Sequence, residues 1–168
     1  MALKKTSETI VIGAQVVESG PNTFTQAQVD LQLNPLDNEV FIVQAINLDL
    51  QPCDAVAGAD TSVRGTLTTT SQASMPSLSQ SPVLAQSEFV IRAAGFVDGG
   101  VGFSQMSMDT PPAALDYIGI ISTNDFFLQI VGSNNTGPRL MNAKVYGYRA
   151  KADAATYAAL VQSEVLSS

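Results

Sequence analysis

Hydrophobic residues in this chain recur mainly at every second position, which is the period of a β-strand. In the segment "AQVDLQL", residues 27–33, Val29, Leu31 and Leu33 share one face, while glutamine and aspartate occupy the other. The segment "TSVRGTLTTT", residues 61–70, alternates valine, glycine and leucine with arginine and threonine. Threonine is β-branched and is well tolerated at a polar strand surface. Strands of this kind predict sheets packed over a shared core, and hence an all-β fold.

Six further segments with a strand-like pattern are separated by sequences rich in Gly, Pro, Asn and Asp, which favour turns. They cover residues 7–18, 39–50, 88–96, 117–122, 125–132 and 139–152. About eight short strands with little helix between them predict an antiparallel β-sandwich of the jelly-roll type, rather than a parallel βαβ sheet.

The strand predicted over residues 39–50 is apolar on both sides of its first half. Period two places five residues on one face, namely Val40, Ile42, Ile46, Leu48 and Leu50. The opposite face contains Phe41, Val43 and Ala45, followed by the polar residues Asn47 and Asp49. We therefore expect the first half to be covered on both faces and the second half on one.

Two segments interrupt the strand pattern. Residues 71–86 are rich in Ser, Gln and Pro, and predict a long extended surface loop. Residues 94–103, "AGFVDGGVGF", are rich in glycine but lack the dinucleotide-binding fingerprint, so they predict a turn or loop tip.

Residues 153–168 have the pattern of a helix. Asp153 is suited to cap its N-terminus, and several alanines favour the helical conformation. Tyr157, Leu160 or Val161, and Val165 form an apolar stripe at three- and four-residue spacing. Two interpretations of this stripe stay open: it closes one end of its own domain, or it docks on a neighbouring copy.

The length of 168 residues fits one domain with a substantial core. We divide it into an N-terminal arm (1–8), a β-sandwich (9–152) and a C-terminal helix (153–168). Charged residues make up only 14% of the chain, against about 25% in typical globular proteins. The surface must therefore use uncharged polar side chains, which suits a protein largely covered by other subunits and also suits a rigid extracellular β-protein. No segment approaches the roughly 18 consecutive apolar residues that indicate a membrane span.

The residue types needed for common catalytic chemistry are scarce. The chain has no His, no Trp and one cysteine, Cys53, which we expect to be a half-buried thiol. Without His, the usual general base and the commonest metal ligand are missing. No motif for nucleotide, hydrolase or metal chemistry is present, so we expect a non-enzymatic protein without a cofactor. One alternative stays open, because oxygen atoms of Asp49, Asp54 and Asp60 could bind Ca²⁺.

Half of the eight Lys and Arg residues lie in or next to the last predicted strand: Arg139, Lys144, Arg149 and Lys151. Alternation places Lys144 with Tyr146 and Tyr148 on one face and Arg149 with Lys151 on the other, so the charges form no single stripe. The net charge of −7 also argues against direct nucleic-acid binding. We expect these cations to pair with acids of the same chain or of a neighbouring subunit.

The arrangement resembles the small single jelly-roll capsid proteins of tailless icosahedral viruses. The shared features are a short polar arm ("MALKKTSE"), about eight strands, a Ser- and Pro-rich loop in mid-chain, and a final strand "KVYGYRAKA". The resemblance implies a virion protein, made in the host cytoplasm, that assembles from many identical copies, alone or with other virion proteins. The arm carries only Lys4 and Lys5, whereas many capsid proteins hold the genome with a strongly basic arm. This departure implies a shell that surrounds a membrane or leaves genome contact to other proteins.

The leading functional hypothesis is therefore a structural protein that self-assembles. The residues expected to reach neighbouring copies are Lys4, Lys5, Arg149, Lys151, Tyr157, Leu160, Val161 and Val165. The alternative is a carbohydrate- or receptor-binding sandwich, such as the tip of a virion fibre or spike. The absence of Trp weakens this alternative, because such sites commonly use exposed aromatic side chains.

Overall fold

A computed structural model of the protein describes residues 3–93, 103–106 and 115–166. The strands within them are β1 (Leu3–Lys5), β2 (Ile10–Val17), β3 (Thr25–Asp30), β4 (Glu39–Leu50), β5 (Thr61–Thr68), β6 (Val83–Arg92), β7 (Phe103–Met106), β8 (Gly119–Ile121), β9 (Asp125–Ser133) and β10 (Leu140–Ala152). A 3₁₀ turn at Pro35–Asp37 precedes β4, and the helix α1 (Ala154–Leu166) follows β10. The predicted all-β fold with a C-terminal helix is confirmed.

The strands form two antiparallel sheets that pack face to face. In the first sheet the order is β2, β10, β4 and β8, and β1 pairs with the end of β10 that lies beyond β2. In the second sheet the order is β3, β9, β5, β6 and β7. The core between the sheets includes Phe41 and Met141 from the first and Leu67 and Phe126 from the second, all buried.

The order of pairing defines a jelly roll. β2 pairs with β10, β3 with β9, β4 with β8 and β5 with β6, so the pairs are nested from the ends of the sandwich sequence inward. These nested pairs can be viewed as one long antiparallel hairpin of strands β2–β5 with β6, β8, β9 and β10. When this hairpin wraps around the core, two further pairs form, β4 with β10 and β5 with β9. The eight strands are thereby divided between two layers. β1 and β7 are additions at the edges, and the predicted jelly-roll sandwich is confirmed.

A β-bulge in β4 decides which of its residues reach the core. Tyr146 of β10 is opposite Ala45, but the next residue, Gly147, is opposite Val43, so Gln44 is skipped in the pairing. An extra residue of this kind reverses the alternation of side chains along the strand.

The predicted faces of β4 were therefore wrong in part. The core residues of β4 are Phe41, Val43, Ile46, Leu48 and Leu50. Val40 and Ile42 belong instead to a second apolar cluster on the outer face of the first sheet. Residues 40–43 are all buried, which confirms that the first half of the strand is covered on both faces.

Some boundaries also differ from the sequence prediction. β6 begins at Val83 rather than at residue 88, because its Ser and Gln residues resemble those of the preceding loop. Within the predicted N-terminal arm, residues 3–5 form β1. The glycine-rich turn predicted over residues 94–103 lies outside the described residues except for Phe103, which begins β7.

The threonine face of β5 is buried, contrary to the expectation of a polar surface there. Thr66 donates a hydrogen bond to the side chain of Gln129, and Gln129 donates one to Thr68, each at 2.7 Å. Gln129 also donates to Gln26, whose side-chain oxygen accepts the backbone N–H of Gln72 in the β5–β6 loop. The loop thus covers this face, and burial is tolerated because the polar groups bind one another.

Candidate functional site

The helix α1 and the strand β1 cover part of the outer face of the first sheet. The buried members of this outer-face cluster are Val40, Ile42 and Ala150. Tyr157 and Leu160 of α1 and Leu3 of β1 pack against it. The apolar stripe of α1 therefore contacts its own domain through Tyr157 and Leu160, whereas Val165 on the same helix is 56% exposed.

Polar contacts fix α1 near both ends. The carboxylate of Asp153 accepts the backbone N–H of Thr156 at 2.7 Å, which confirms the predicted N-cap. This hydrogen bond lowers the pKa of Asp153 below its ordinary value. Near the other end, the buried carboxylate of Glu164 accepts the Ser122 N–H at 2.8 Å, the Ser122 hydroxyl at 2.5 Å and the Thr123 hydroxyl. Because these two residues connect β8 to β9, Glu164 binds the helix to a turn between the sheets.

We expect Glu164→Ala to release α1 while the two sheets stay folded. The change removes the acceptor of a buried N–H, and a hydrogen bond to a charged group contributes about 1.5–3 kcal/mol. Amide hydrogen exchange in α1 should become roughly tenfold to hundredfold faster, with little change in β5 and β9. Gln162→Ala, at an exposed position of the same helix, is the matched control. Equal protection of α1 in the two variants would contradict this role of Glu164.

The cations at the end of β10 have partners within the chain. The guanidinium of Arg149 pairs with Glu39 at 2.5 Å and donates to the backbone carbonyls of residues 31 and 32. Lys151 pairs with Asp37 at 3.4 Å. The prediction that the cations in and next to this strand pair with acids is thus confirmed, within one chain, for Arg149 and Lys151. Their effect is to bind the β3–β4 loop to the end of β10.

The cations of the N-terminal arm differ from each other. The Nζ of Lys5 lies 5.1 Å from the centroid of the Tyr148 ring and 3.5 Å from the Glu8 carboxylate. Lys4 is exposed. Because Lys5 and the outer-face cluster cover the Tyr148 ring, this tyrosine is poorly placed to stack on a nucleic-acid base.

The three aspartates considered as calcium ligands do not converge. The carboxylate of Asp54 accepts the backbone N–H and the hydroxyl of Thr136 at 2.8 and 2.7 Å, and pairs with Arg139 at 3.2 Å. Asp60 forms an ion pair with β6, while Asp49 lies on the outer face of β4. In the part of the chain that the structure describes, no group of three or more acidic, cysteine or histidine residues could hold a metal ion.

The contacts of Asp54 predict a dependence of stability on pH. The hydrogen bond from the Thr136 hydroxyl is the main cause that lowers the pKa of Asp54 below its ordinary value of 3.8, helped by the Thr136 N–H and the Arg139 charge. A lowered pKa in the folded state stabilises the protein above that ordinary value, and the stabilisation is lost as the pH falls through the folded-state pKa.

We therefore expect the difference in unfolding free energy between wild type and Asp54→Asn to be constant near neutral pH and to shrink under acidic conditions. Urea denaturation at a series of pH values measures it. Thr136→Val removes the hydroxyl donor, keeps the carboxylate and should reduce the same dependence in part. If the difference in unfolding free energy between wild type and Asp54→Asn does not change on acidification, the lowered pKa of Asp54 does not contribute to stability as described.

At the opposite end of the sandwich from α1, a buried carboxylate fixes a second set of loops. Glu18 follows β2 and is only 4% exposed. Its Oε2 accepts the backbone N–H groups of Thr23 and Gly132 at 2.9 and 3.0 Å, and its Oε1 accepts that of Arg139 at 2.8 Å. These donors lie in the β2–β3 loop, in β9 and before β10. This role has no local signal in the sequence, because two of the donors are more than 110 residues away along the chain.

A shallow groove of about 400 Å³ crosses the outer face of the first sheet where α1 does not cover it. The side chains lining it include Asn47, Asp49, Asn142, Lys144 and Tyr146. Gly13 lies opposite Lys144 and leaves space, since a Cβ there would meet no atom within 4 Å. The groove therefore presents hydrogen-bonding groups that could bind a hydroxylated ligand.

Comparisons with known proteins identify no relative, so the functional interpretation depends on the fold and on these contacts. No protein-family model matches this chain, and no curated protein sequence matches it. Within the described ranges, no helix combines the length and the apolar character needed to cross a membrane.

Proposed function

We propose that the chain is a non-enzymatic structural protein that self-assembles from many identical copies into a virion shell, as the capsid proteins of tailless icosahedral viruses do. The observation that carries this proposal is that its buried and partly buried charged groups hold the protein's own loops. Glu18, Glu164 and Arg149 each bind backbone groups of distant segments. A building block must present the same surface in every copy, and preorganised loops reduce the entropy lost on association.

The positions of exposed apolar side chains also support assembly. Val11 and Val17 lie on β2, Leu36 lies on the 3₁₀ turn, and Val165 and Leu166 lie at the end of α1. These residues lie on three different elements, β2, the 3₁₀ turn and α1. A subunit of a closed shell contacts several neighbours on different sides, so this distribution suits it.

Sedimentation velocity of the full chain over a hundredfold range of concentration tests the proposal. We expect a discrete species far larger than the 17.6 kDa monomer. A single monomeric species at every concentration would overturn it.

The groove on the first sheet favours a second candidate function, a module that binds carbohydrate or a glycosylated receptor. Its amide, carboxylate, ammonium and phenol groups are the kinds that hydrogen-bond sugar hydroxyls. A glycan array tests this function. Binding that is lost in Tyr146→Ala and kept in Tyr117→Ala, at an exposed tyrosine outside the groove, would favour the binding module. We expect no reproducible binding if the chain is a shell protein only.

A further inference from the structure

The sheet edges in the described part of the chain differ in how they are protected from pairing with another chain. Proteins commonly protect an edge by making the strand short or by placing charged residues or proline on it. β7 and β8 have four and three residues, and β1 has three, two of which are lysines. β3 has six residues and ends in Asp30.

β2 has none of these protections. It runs for eight residues, "IVIGAQVV", without a charged residue or proline, and it pairs with β10 along one side only. Its outer face exposes Val11 and Val17, at 52% and 47%. On the core side, Ile10, Ile12 and Ala14 are only partly buried at the rim of the core.

The backbone of β2 also has hydrogen-bonding groups directed away from β10. The backbone N–H of Glu18 donates to the carbonyl of Arg139, just before β10. The even-numbered residues of β2 therefore direct their backbone N–H and C=O groups toward β10. In an antiparallel ladder the alternate residues point the other way. The N–H and C=O groups of Val11, Gly13, Gln15 and Val17 therefore point toward the open edge.

We propose that this edge pairs antiparallel with β2 of a second copy, about a two-fold axis at Ala14, to join the first sheets of two subunits into one continuous sheet. In this register Val11 of each copy lies opposite Val17 of the other, and Gly13 lies opposite Gln15. All four positions have their backbone groups directed at the partner. The register is self-complementary, as a two-fold interface requires.

The pairing covers apolar surface on both faces of the sheet. The exposed Val11 and Val17 side chains pack against each other across the new strand pair. On the core side, Ile12 lies opposite Val16 and Ala14 lies opposite its own copy. The partly buried rim of the core, including Ile10, is then covered by the same rim of the second subunit. This inference deepens the proposed function, on which it rests, by naming one of the contacts through which the shell assembles.

A charge exchange at the two valines tests the pairing and its register. Val11→Lys with Val17→Lys places lysines opposite each other at two symmetric positions, whereas Val11→Glu with Val17→Lys places opposite charges there. Like charges across a strand pair are destabilising, and opposite charges are favourable. We expect the dimer dissociation constant of the first double variant to exceed that of the second by about tenfold or more. Leu78→Lys, at a residue that is 63% exposed in the β5–β6 loop, is the control and should associate like the wild type.

Cysteine cross-linking tests the axis independently, in a Cys53→Ser background. Directly opposed residues of a non-hydrogen-bonded pair have Cα atoms about 4.5 Å apart, which allows a disulfide. Ala14→Cys should therefore form a disulfide-linked dimer under mild oxidation. Gly13→Cys, which is more exposed but offset from its own copy, should cross-link poorly.

The outcomes separate this inference from the proposed function. In one outcome the protein forms large assemblies while the two charge variants associate equally and Ala14→Cys does not cross-link. This result would overturn the β2 pairing and would still support the shell function. Cross-linking at Gly13 in preference to Ala14 would overturn the register. A β2-linked dimer that never assembles further would support the pairing and overturn the shell function, and a protein that stays monomeric would overturn both.

Discussion

Glu18→Ala is expected to lower the free energy of unfolding by about 3–5 kcal/mol, because it leaves buried N–H groups without their acceptor. The three donors belong to Thr23, Gly132 and Arg139, and all of them meet the single carboxylate. The loss affects both sheets at once, since Glu18 follows β2 of the first sheet and Gly132 belongs to β9 of the second. Urea denaturation followed by circular dichroism measures the change.

Glu8→Ala is the matched control for Glu18→Ala. It removes the same charge and the same side chain, but the Glu8 side chain is 96% exposed and its ion pair with Lys5 lies at the surface. Such a pair contributes roughly 0–1 kcal/mol. If the two variants unfold at the same urea concentration, the buried carboxylate does not stabilise the loops as described.

Gly147→Ala is expected to destabilise the fold by about 2–3 kcal/mol through steric overlap at the β4 bulge. A Cβ at Gly147 would lie 2.2 Å from the Ile42 carbonyl oxygen and 2.7 Å from the Phe41 ring. The carbonyl is part of the sheet backbone, so it cannot move aside as the end of a flexible side chain could. The free energy of unfolding in urea, with the slope of the transition compared between variants, measures this effect.

The control for Gly147→Ala is Gly13→Ala, a change of the same kind in a neighbouring strand of the same sheet. A Cβ at Gly13 meets no atom within 4 Å, so we expect a change within about 0.5 kcal/mol, or a slight stabilisation through the unfolded chain. Similar losses at the two glycines would show that the close approach at the bulge is not what makes Gly147 necessary.

Strand identity could largely be predicted from this sequence, because period two reports which side chains are buried. The strand predicted over residues 39–50 has the same bounds as β4. The direction of its side chains could not be predicted across the bulge, since Gln44 looks like any other alternating polar residue. Only the pairing with β10, about 100 residues later in the chain, shows that it is skipped.

The buried polar groups of the candidate site could not be predicted from the sequence. Thr66 of β5 binds Gln129 of β9, which is distant in sequence. The alternation in β5 therefore predicts a polar threonine surface at a face that is buried. Glu18 and Glu164 were assigned no role, because a carboxylate that accepts backbone N–H groups has no local signature. Asp153 could be predicted, since its hydrogen bond to Thr156 lies within three residues.

The described contacts also refine the expectation about subunit contacts. Four of the residues expected to reach neighbouring copies have contacts within their own chain. Ion pairs hold Arg149 and Lys151, and apolar packing holds Tyr157 and Leu160. The sequence does not distinguish the β2 edge, because the alternation of β2 is that of an ordinary strand. Its lack of protection becomes visible only once β10 is known to be its neighbour and the other edges can be compared with it.

Electron microscopy of the purified full chain, at a concentration where sedimentation detects its largest species, tests the central claim most directly. The proposed function predicts closed particles of uniform size built from many copies of the chain. Particles lost in Val11→Lys with Val17→Lys, but retained in Leu78→Lys, would also support the β2 contact. Dispersed monomers, or disordered aggregates without a regular outline, would contradict the claim that this jelly roll is a shell-forming protein.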